Sequence, residues 1–276
     1  MIVSPFTPLF FGRHKTDGIA SEYIQTFATT DRVLLQLIGE IAWNGEVWIY
    51  SEPDHRRLFK VNLMTWSLSD CLLRFTSLAF SPGVYSVYIT DIGFSRPFRV
   101  TDDPVELEET TLIQYSMRDN RQRKDGIFYI NGMQYFFDFR VPGGFKDSGW
   151  TFGVESEQFV GPDAEITQLY GLESVQKTFT MGTGRGVPVW FGEMLNRILV
   201  CSHVYFDKVK YARKDTCVPE MNVQLEGVNS FVFTQELQKA SNLDPVLENN
   251  NQLILRRTGE YSTYYRTIDE QTLRQI

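Results

Sequence analysis

The sequence predicts a mainly β protein made of two β-sandwich, jelly-roll-like domains, the second with one amphipathic helix packed on a sheet. Aromatic residues make up 14% of the chain, including 21 Phe and 13 Tyr, and such rings fill the pleated, half-buried surfaces of sheets. Turn residues divide the chain into short apolar runs at the spacing of strands. Only one segment shows a helical period of comparable strength.

The charge pattern argues against nucleic acid as the main partner. The net charge is −7, whereas nucleic-acid binders need a basic face to displace counterions from phosphates. The basic cluster of Arg121, Arg123 and Lys124 lies in a polar stretch with the character of an exposed loop. The same balance argues against a basic membrane anchor.

The cysteines and the N-terminus indicate the cellular compartment in which the chain is made and folds. Cys71, Cys201 and Cys217 are odd in number and far apart, which argues against a disulfide framework. Residues 1–12 lack a positively charged start, and their apolar run is too short for a signal peptide. No stretch approaches the ~20 apolar residues that span a bilayer. We therefore expect cytoplasmic synthesis without a signal peptide, no membrane insertion, and a virion as the later location.

The first hundred residues have the pattern of successive strands. Runs at 23–28 and 32–38 are separated by a short polar turn. In the second run, alternation assigns apolar side chains to both faces, so both should be covered. One face carries Val33, Leu35 and Leu37, and the other carries Leu34 and Ile38.

Two turn signals follow in this half. Asn44-Gly45 between apolar runs predicts a type I′ hairpin in which Trp43 pairs with Glu46. Pro82-Gly83 predicts a type II turn between its two flanking strands. These elements favour a β-sandwich over residues 1–103.

Residues 101–109 are acidic, contain Pro104 and lose the strand pattern. We therefore place a domain boundary between residues 103 and 104. The alternative is an acidic loop within one larger sandwich, because β domains often exceed 200 residues. The second domain then spans 104–240, and the polar residues 241–276 form a C-terminal hairpin or an arm that orders on a neighbour.

The second domain begins with a clear hairpin signal. Asn131-Gly132 joins two apolar runs, and residues 137–141 then alternate, with Asp138 and Arg140 on one face. Further strands are predicted at 151–160, 165–170, 175–180, 202–206, 222–225 and 230–234.

One helix is predicted, at about 187–200. Trp190, Met194 and Ile198 form one apolar stripe, and Pro188 suits the first turn. A stripe of this kind packs against a sheet, so we interpret the helix as part of the core.

No motif predicts catalytic residues, a metal or a cofactor. Residues 182–186 (GTGRG) precede the helix as phosphate-binding turns do, but they lack the Lys-Ser/Thr of a P-loop, and we interpret them as a flexible turn. His14, His55 and His203 are not at the spacing of metal ligands. A glycosidase pair drawn from distant carboxylates is an open alternative to solvated strand faces. The carboxylates concerned are Asp138, Glu155, Glu157, Asp163 and Glu165.

Aromatic residues near Asn44-Gly45 are the candidate ligand-binding residues. Trp43, Trp48 and Tyr50 would form a platform for stacking against a sugar ring, with Trp48 and Tyr50 on one strand face. Core packing is the alternative interpretation.

Four stretches of the chain, at residues 30–38, 135–150, 159–171 and 186–202, together resemble a family of uncharacterised proteins from gut bacteria and their prophages. Those proteins look like accessory tail or virion structural proteins, so the resemblance implies a class of role and no site residues. We therefore expect a non-enzymatic structural component whose partners are other virion or tail proteins or copies of itself. The alternative is a carbohydrate-binding or adhesion module that takes surface glycans.

Overall fold

The computed structural model describes most of residues 1–240. The described ranges are 1–11, 19–20, 23–39, 43–52, 54–67, 72–118, 125–130, 133–162, 164–184, 186–214, 220–223 and 228–240. The predicted C-terminal segment at 241–276 lies outside the described residues.

The first half of the chain forms a sandwich of two sheets. Its strands are β1 (Ile2–Val3), β2 (Ile19–Ala20), β3 (Gln25–Ala28), β4 (Val33–Gly39), β5 (Val47–Ser51), β6 (Arg56–Lys60), β7 (Met64–Ser67), β8 (Leu72–Leu78), β9 (Gly83–Ile89), β10 (Gly93–Phe94) and β11 (Phe98–Thr101). One sheet has the order β1-β4-β8-β7, and the other has the order β3-β11-β9-β5-β6 with β10 beside β9. Apolar side chains from both sheets meet in one buried core.

The alternation predicted for β4 is confirmed. Val33, Leu35 and Leu37 lie in the core between the two sheets. Leu34 and Ile38 lie in a second core, which β4 shares with the other half of the chain. Both faces of β4 are therefore buried, which explains its nearly continuous apolar sequence.

The second half is dominated by one large sheet. Its elements are α1 (Pro104–Glu108), β12 (Thr110–Ser116), β13 (Tyr129–Ile130), β14 (Met133–Gln134), β15 (Phe137–Val160), β16 (Ile166–Met181), α2 (Val189–Ile198), β17 (His203–Phe206), β18 (Val209–Arg213), β19 (Glu220–Val223), β20 (Val228–Asn229) and β21 (Phe231–Lys239). The sheet has the order β16-β15-β12-β17-β18-β21-β19, and β16 also pairs with β21. Six strands therefore close into an antiparallel barrel, with β19 attached to β21. The mainly β fold class is confirmed.

The predicted amphipathic helix is confirmed as α2. Phe191, Met194, Leu195 and Ile198 are buried in the core of the second half. Trp190 at its start stacks on a ring from the N-terminal segment, with 4.9 Å between ring centroids. The helix thus joins the barrel core to the N-terminal segment.

A buried ion pair links the sandwich to the barrel. The Arg140 guanidinium on β15 donates to both Asp31 carboxylate oxygens, at 2.6 and 2.9 Å. Asp138, two residues earlier, accepts from the Arg32 backbone amide at 3.0 Å and from the Gln114 side chain at 2.9 Å. The alternation of residues 137–141 is confirmed, but the prediction of a solvated face is wrong for Asp138, because the sandwich covers that face.

The acidic stretch at 101–109 contains α1. Asp103 caps the helix by accepting from the Val105 amide at 2.9 Å, and Pro104 occupies the first turn. The domain boundary between residues 103 and 104 stays a prediction, and α1 lies at this point, between the sandwich strands and the barrel strands. Leu73 and Phe75 of the sandwich pack into the same core as the barrel residues.

Two turn predictions have different outcomes. The hairpin pairing predicted around Asn131-Gly132 is confirmed for the flanking strands, since Tyr129 pairs with Gln134 and Ile130 with Met133. The two turn residues themselves lie outside the described residues. The hairpin at Asn44-Gly45 is wrong, because β5 is flanked by β9 and β6 and has no edge left for the preceding residues.

The connection at Pro82-Gly83 also differs from a hairpin. The strands before and after it, β8 and β9, belong to different sheets of the sandwich. The turn therefore carries the chain from one sheet to the other. The three strands predicted at 151–160, 165–170 and 175–180 prove to be two, β15 and β16.

Candidate functional site

The hairpin of β15 and β16 projects beyond the barrel. β15 pairs with β12 only through residues 110–115 and 137–142, and β16 pairs with β21 only over residues 176–181. Past these points, in the described part of the chain, the two strands pair only with each other. We call residues 151–175 the extension. Its ten-residue strand segments reach about 34 Å at the usual rise of a β-strand.

One face of the extension continues the interior face of the barrel. Met181 and Phe179 on β16 are fully buried in the barrel core. Strand alternation places Val175 on the same face, and Phe152 lies directly opposite it on β15. Lys177 lies between Phe179 and Val175 on this face, with its ammonium 5.5 Å from the centroid of the Phe145 ring. It interrupts the apolar pattern of the core, and apolar side chains resume beyond it on the extension.

The extension exposes large apolar side chains. Phe152 is 73% exposed, and four others are more than half exposed. The four are Phe159, Val160, Ile166 and Leu169. Val160 and Ile166 are paired across the two strands at the tip of the extension. Exposed apolar side chains that lie together in this way are typical of an interaction surface.

The extension is also strongly acidic. Residues 151–175 contain five Asp and Glu and no Lys or Arg, and they contribute −5 to a net charge of −7. A surface that receives the extension should therefore carry positive charge as well as apolar side chains.

The base of the extension is held firmly. Gly143 lies at φ +116°, and a Cβ atom there would overlap the Thr180 carbonyl oxygen on the paired strand. Only glycine accepts this backbone conformation without strain. Phe145 next to it packs on Phe179 and Tyr211, with ring centroids 5.3 and 4.9 Å apart. The barrel is therefore well packed at this point, and a register shift between Phe145 and Trp150 separates it from the extension.

The predicted sugar-stacking residues are not arranged as an open platform. The Arg57 guanidinium lies 3.1 Å from the centroid of the Trp48 ring, and the Arg74 guanidinium lies 5.0 Å from that of Trp43. Each tryptophan thus has a cation over one ring face. Tyr50, two residues after Trp48 on the same strand, belongs to a cluster of rings described below.

Tyr50 belongs to a partly exposed cluster on the outer face of the sandwich. Its ring centroid is 5.1 Å from that of Phe94, 5.2 Å from that of His55 and 6.4 Å from that of Tyr88. Phe94 is 41% exposed. The sequence could not place Phe94 here, because β10 reaches Tyr50 only through its pairing with β9.

The glycine-rich turn at 182–186 connects β16 to α2. The Gly182 amide donates to the Pro142 carbonyl, and the Gly186 amide donates to the Thr183 carbonyl, each at 2.8 Å. A Cβ atom on Gly186 would overlap the Ser230 hydroxyl. Both amides are thus used within the protein, and close packing against residues 230–232 explains Gly182 and Gly186 better than an anion site does.

The histidines are separate from one another in the described residues. His55 lies 3.0 Å from a Glu52 carboxylate oxygen on an exposed turn. Burial, with the cations Lys210 and Arg118, lowers the pKa of His203 to about 4. His14 lies outside the described residues, and within them no group of three His, Cys, Asp or Glu side chains is placed to hold a metal ion.

The predicted carboxylates are likewise dispersed. Asp138 is buried beneath the sandwich, whereas Glu157 and Glu165 are exposed on the extension. Asp163 and the side chain of Glu155 lie outside what the structure describes.

Within the described ranges, no helix is long and apolar enough to cross a membrane. In comparisons with known proteins, no family model, curated protein or solved structure matches this chain.

Proposed function

We propose that this chain is a non-enzymatic structural component that assembles through its extension, as part of a phage or prophage tail. The observation that supports assembly is the set of exposed apolar side chains on the extension, which projects from a well-packed part of the barrel. The tail context rests on the sequence resemblance alone. Once copies of the chain have associated, the assembly would bind other virion or tail proteins.

The physical reason is that the extension is incomplete by itself. A two-stranded hairpin is at best marginally stable in water and gains stability when its apolar face is covered. Among the described strands, its outer edges have no further strand beside them, and such edges are templates for pairing with another chain. Covering the apolar side chains contributes roughly 25 cal/mol per Å² removed from water.

The first test removes the apolar character of the extension without disturbing its base. We expect Phe152→Ser combined with Ile166→Ser to abolish self-association, because both side chains lie on the apolar face and are mostly exposed. Light scattering should give an assembled mass for the wild type and the monomer mass of 32.0 kDa for the variant.

The control is Val105→Ser on α1, which removes an equally exposed apolar side chain far from the extension in sequence. It should assemble like the wild type. Circular dichroism should show that all three proteins are folded. If the double variant assembles as the wild type does, the proposed function is wrong.

The second candidate function is binding of surface glycans by the cluster around Tyr50. Exposed rings can stack on the apolar face of a sugar, and the Phe94 ring of this cluster is 41% exposed. On a glycan array, Tyr50→Ala and Phe94→Ala should each lose binding. Trp48→Ala serves as the control, since Arg57 already covers a face of that ring. Unchanged binding by both cluster variants would remove this site.

A further inference from the structure

The sandwich has an edge strand with properties opposite to those of the extension. β6 pairs with β5 alone among the described strands, and all five of its residues are exposed. Its sequence is Arg-Arg-Leu-Phe-Lys, with Leu58 36% and Phe59 46% exposed. An exposed edge of this kind can accept a strand from another chain.

The charges of β6 complement those of the extension. Arg56, Arg57 and Lys60 supply three positive charges in five residues. The Glu46 carboxylate serves two of them, 2.6 Å from Lys60 and 3.9 Å from Arg57, and the exposed Asp54 lies two residues before Arg56. Three cations against these two acids leave the edge with a net positive charge.

Association of two extensions with each other is disfavoured. Each carries five acidic residues and no basic ones, and like charges placed side by side across an interface cost several kcal/mol. The extension should therefore meet a different surface, one that is basic, apolar and able to pair with a strand. β6 meets all three requirements.

We propose that the extension of one copy docks along the β6 edge of a second copy. This inference rests on the proposed function and names its partner surface. The backbone groups of the β6 edge pair with an edge of the extension, as in strand addition. Leu58 and Phe59 cover part of its apolar face, and Arg56 and Lys60 face its carboxylates.

The contact has a defined symmetry. The extension belongs to the barrel half and β6 to the sandwich half, so each copy offers one surface of each kind. Such a head-to-tail contact forms a closed ring if the rotation between copies closes, and a filament if it does not.

Charge reversal on each side tests the contact. One variant carries Glu157→Lys and Glu165→Lys on the extension, and the other carries Arg56→Glu and Lys60→Glu on β6. All four side chains are exposed, so both variants should fold. We expect each variant alone to associate at least about tenfold more weakly than the wild type, and an equimolar mixture to regain assembly.

In the mixture, the lysines on the extension of the first variant bind the glutamates on β6 of the second variant. The unchanged extension of the second variant binds the unchanged β6 of the first. A control with Arg99→Glu and Lys214→Glu has the same net charge as the β6 variant, but its changes lie on β11 and just after β18. It should assemble like the wild type. Light scattering reports all the masses.

The outcomes separate this contact from the proposed function. A β6 variant that assembles like the wild type, or a mixture that stays monomeric, overturns the β6 contact. If the β6 contact is overturned in this way but Phe152→Ser with Ile166→Ser still abolishes assembly, the proposed function stands. If the apolar variant also has no effect, both are overturned.

Discussion

Replacing Asp31 by alanine should lower the free energy of unfolding by about 3–5 kcal/mol, the usual cost of removing one partner of a buried ion pair. The Asp31 side chain is 1% exposed and that of Arg140 is 9% exposed. Without Asp31, the guanidinium stays buried with the Thr110 hydroxyl as a neutral acceptor, at 3.0 Å. The Ala28 amide also loses its acceptor, at 2.8 Å.

Denaturant unfolding measures this loss. Glu106→Ala is the control, because it breaks an ion pair of similar length with Arg99, 3.1 Å, at an exposed site. Exposed pairs contribute about 0–1 kcal/mol.

Asp31→Leu with Arg140→Met should recover most of the stability, because apolar pairs replace buried ion pairs well. A loss from Asp31→Ala no larger than that of the control would show that the pair does not hold the two halves together.

Phe179→Ala should lower the free energy of unfolding by about 3–5 kcal/mol, as removal of a fully buried ring does. Phe179 is completely buried at the base of the extension. Its ring centroid lies 4.9 Å from that of Phe206 and 5.3 Å from that of Phe145. Its loss leaves a cavity where β16 enters the barrel.

The same substitution further along the hairpin provides the matched control. Phe152 is paired with Val175 on the extension and is 73% exposed, so Phe152→Ala should change the unfolding free energy of the monomer by less than about 0.5 kcal/mol. The two variants are compared by urea unfolding at low protein concentration. Equal losses would contradict the division between a rigid base and an uncovered extension.

Local patterns predicted the elements that are specified locally. The two apolar faces of β4, the stripe of α2 and the Asn131-Gly132 hairpin each follow from the period or turn preference of a few adjacent residues. The order of the strands in the sheets does not follow from such local preferences. Asn44-Gly45 has the same turn preference, but pairing of β5 with β9 and β6 overrides it.

Contacts between distant residues were outside the reach of sequence patterns. Asp31 and Arg140 are 109 residues apart, and each alone has the pattern of a polar residue on a turn or on a solvated strand. The sequence predicts the strand period of residues 151–160, but the period does not reveal that, among the described strands, β15 pairs there with β16 alone. The signal in the sequence was charge, since residues 151–175 lack any Lys or Arg.

The predicted ligand-binding residues show the same limit of local patterns. Trp48 and Tyr50 share a strand face, as alternation requires. Their surroundings come from other strands: Arg57 from β6 lies over Trp48, and Phe94 from β10 lies beside Tyr50. The ring cluster could be located only when the sheet order was known.

The molar mass of the wild-type protein in solution tests the central claim, assembly through the extension, most directly. Light scattering over a range of concentrations should give a mass above that of the 32.0 kDa chain, rising with concentration and falling as salt screens the acidic extension from its basic partner surface. A mass of one chain at every concentration and every salt level would contradict the claim.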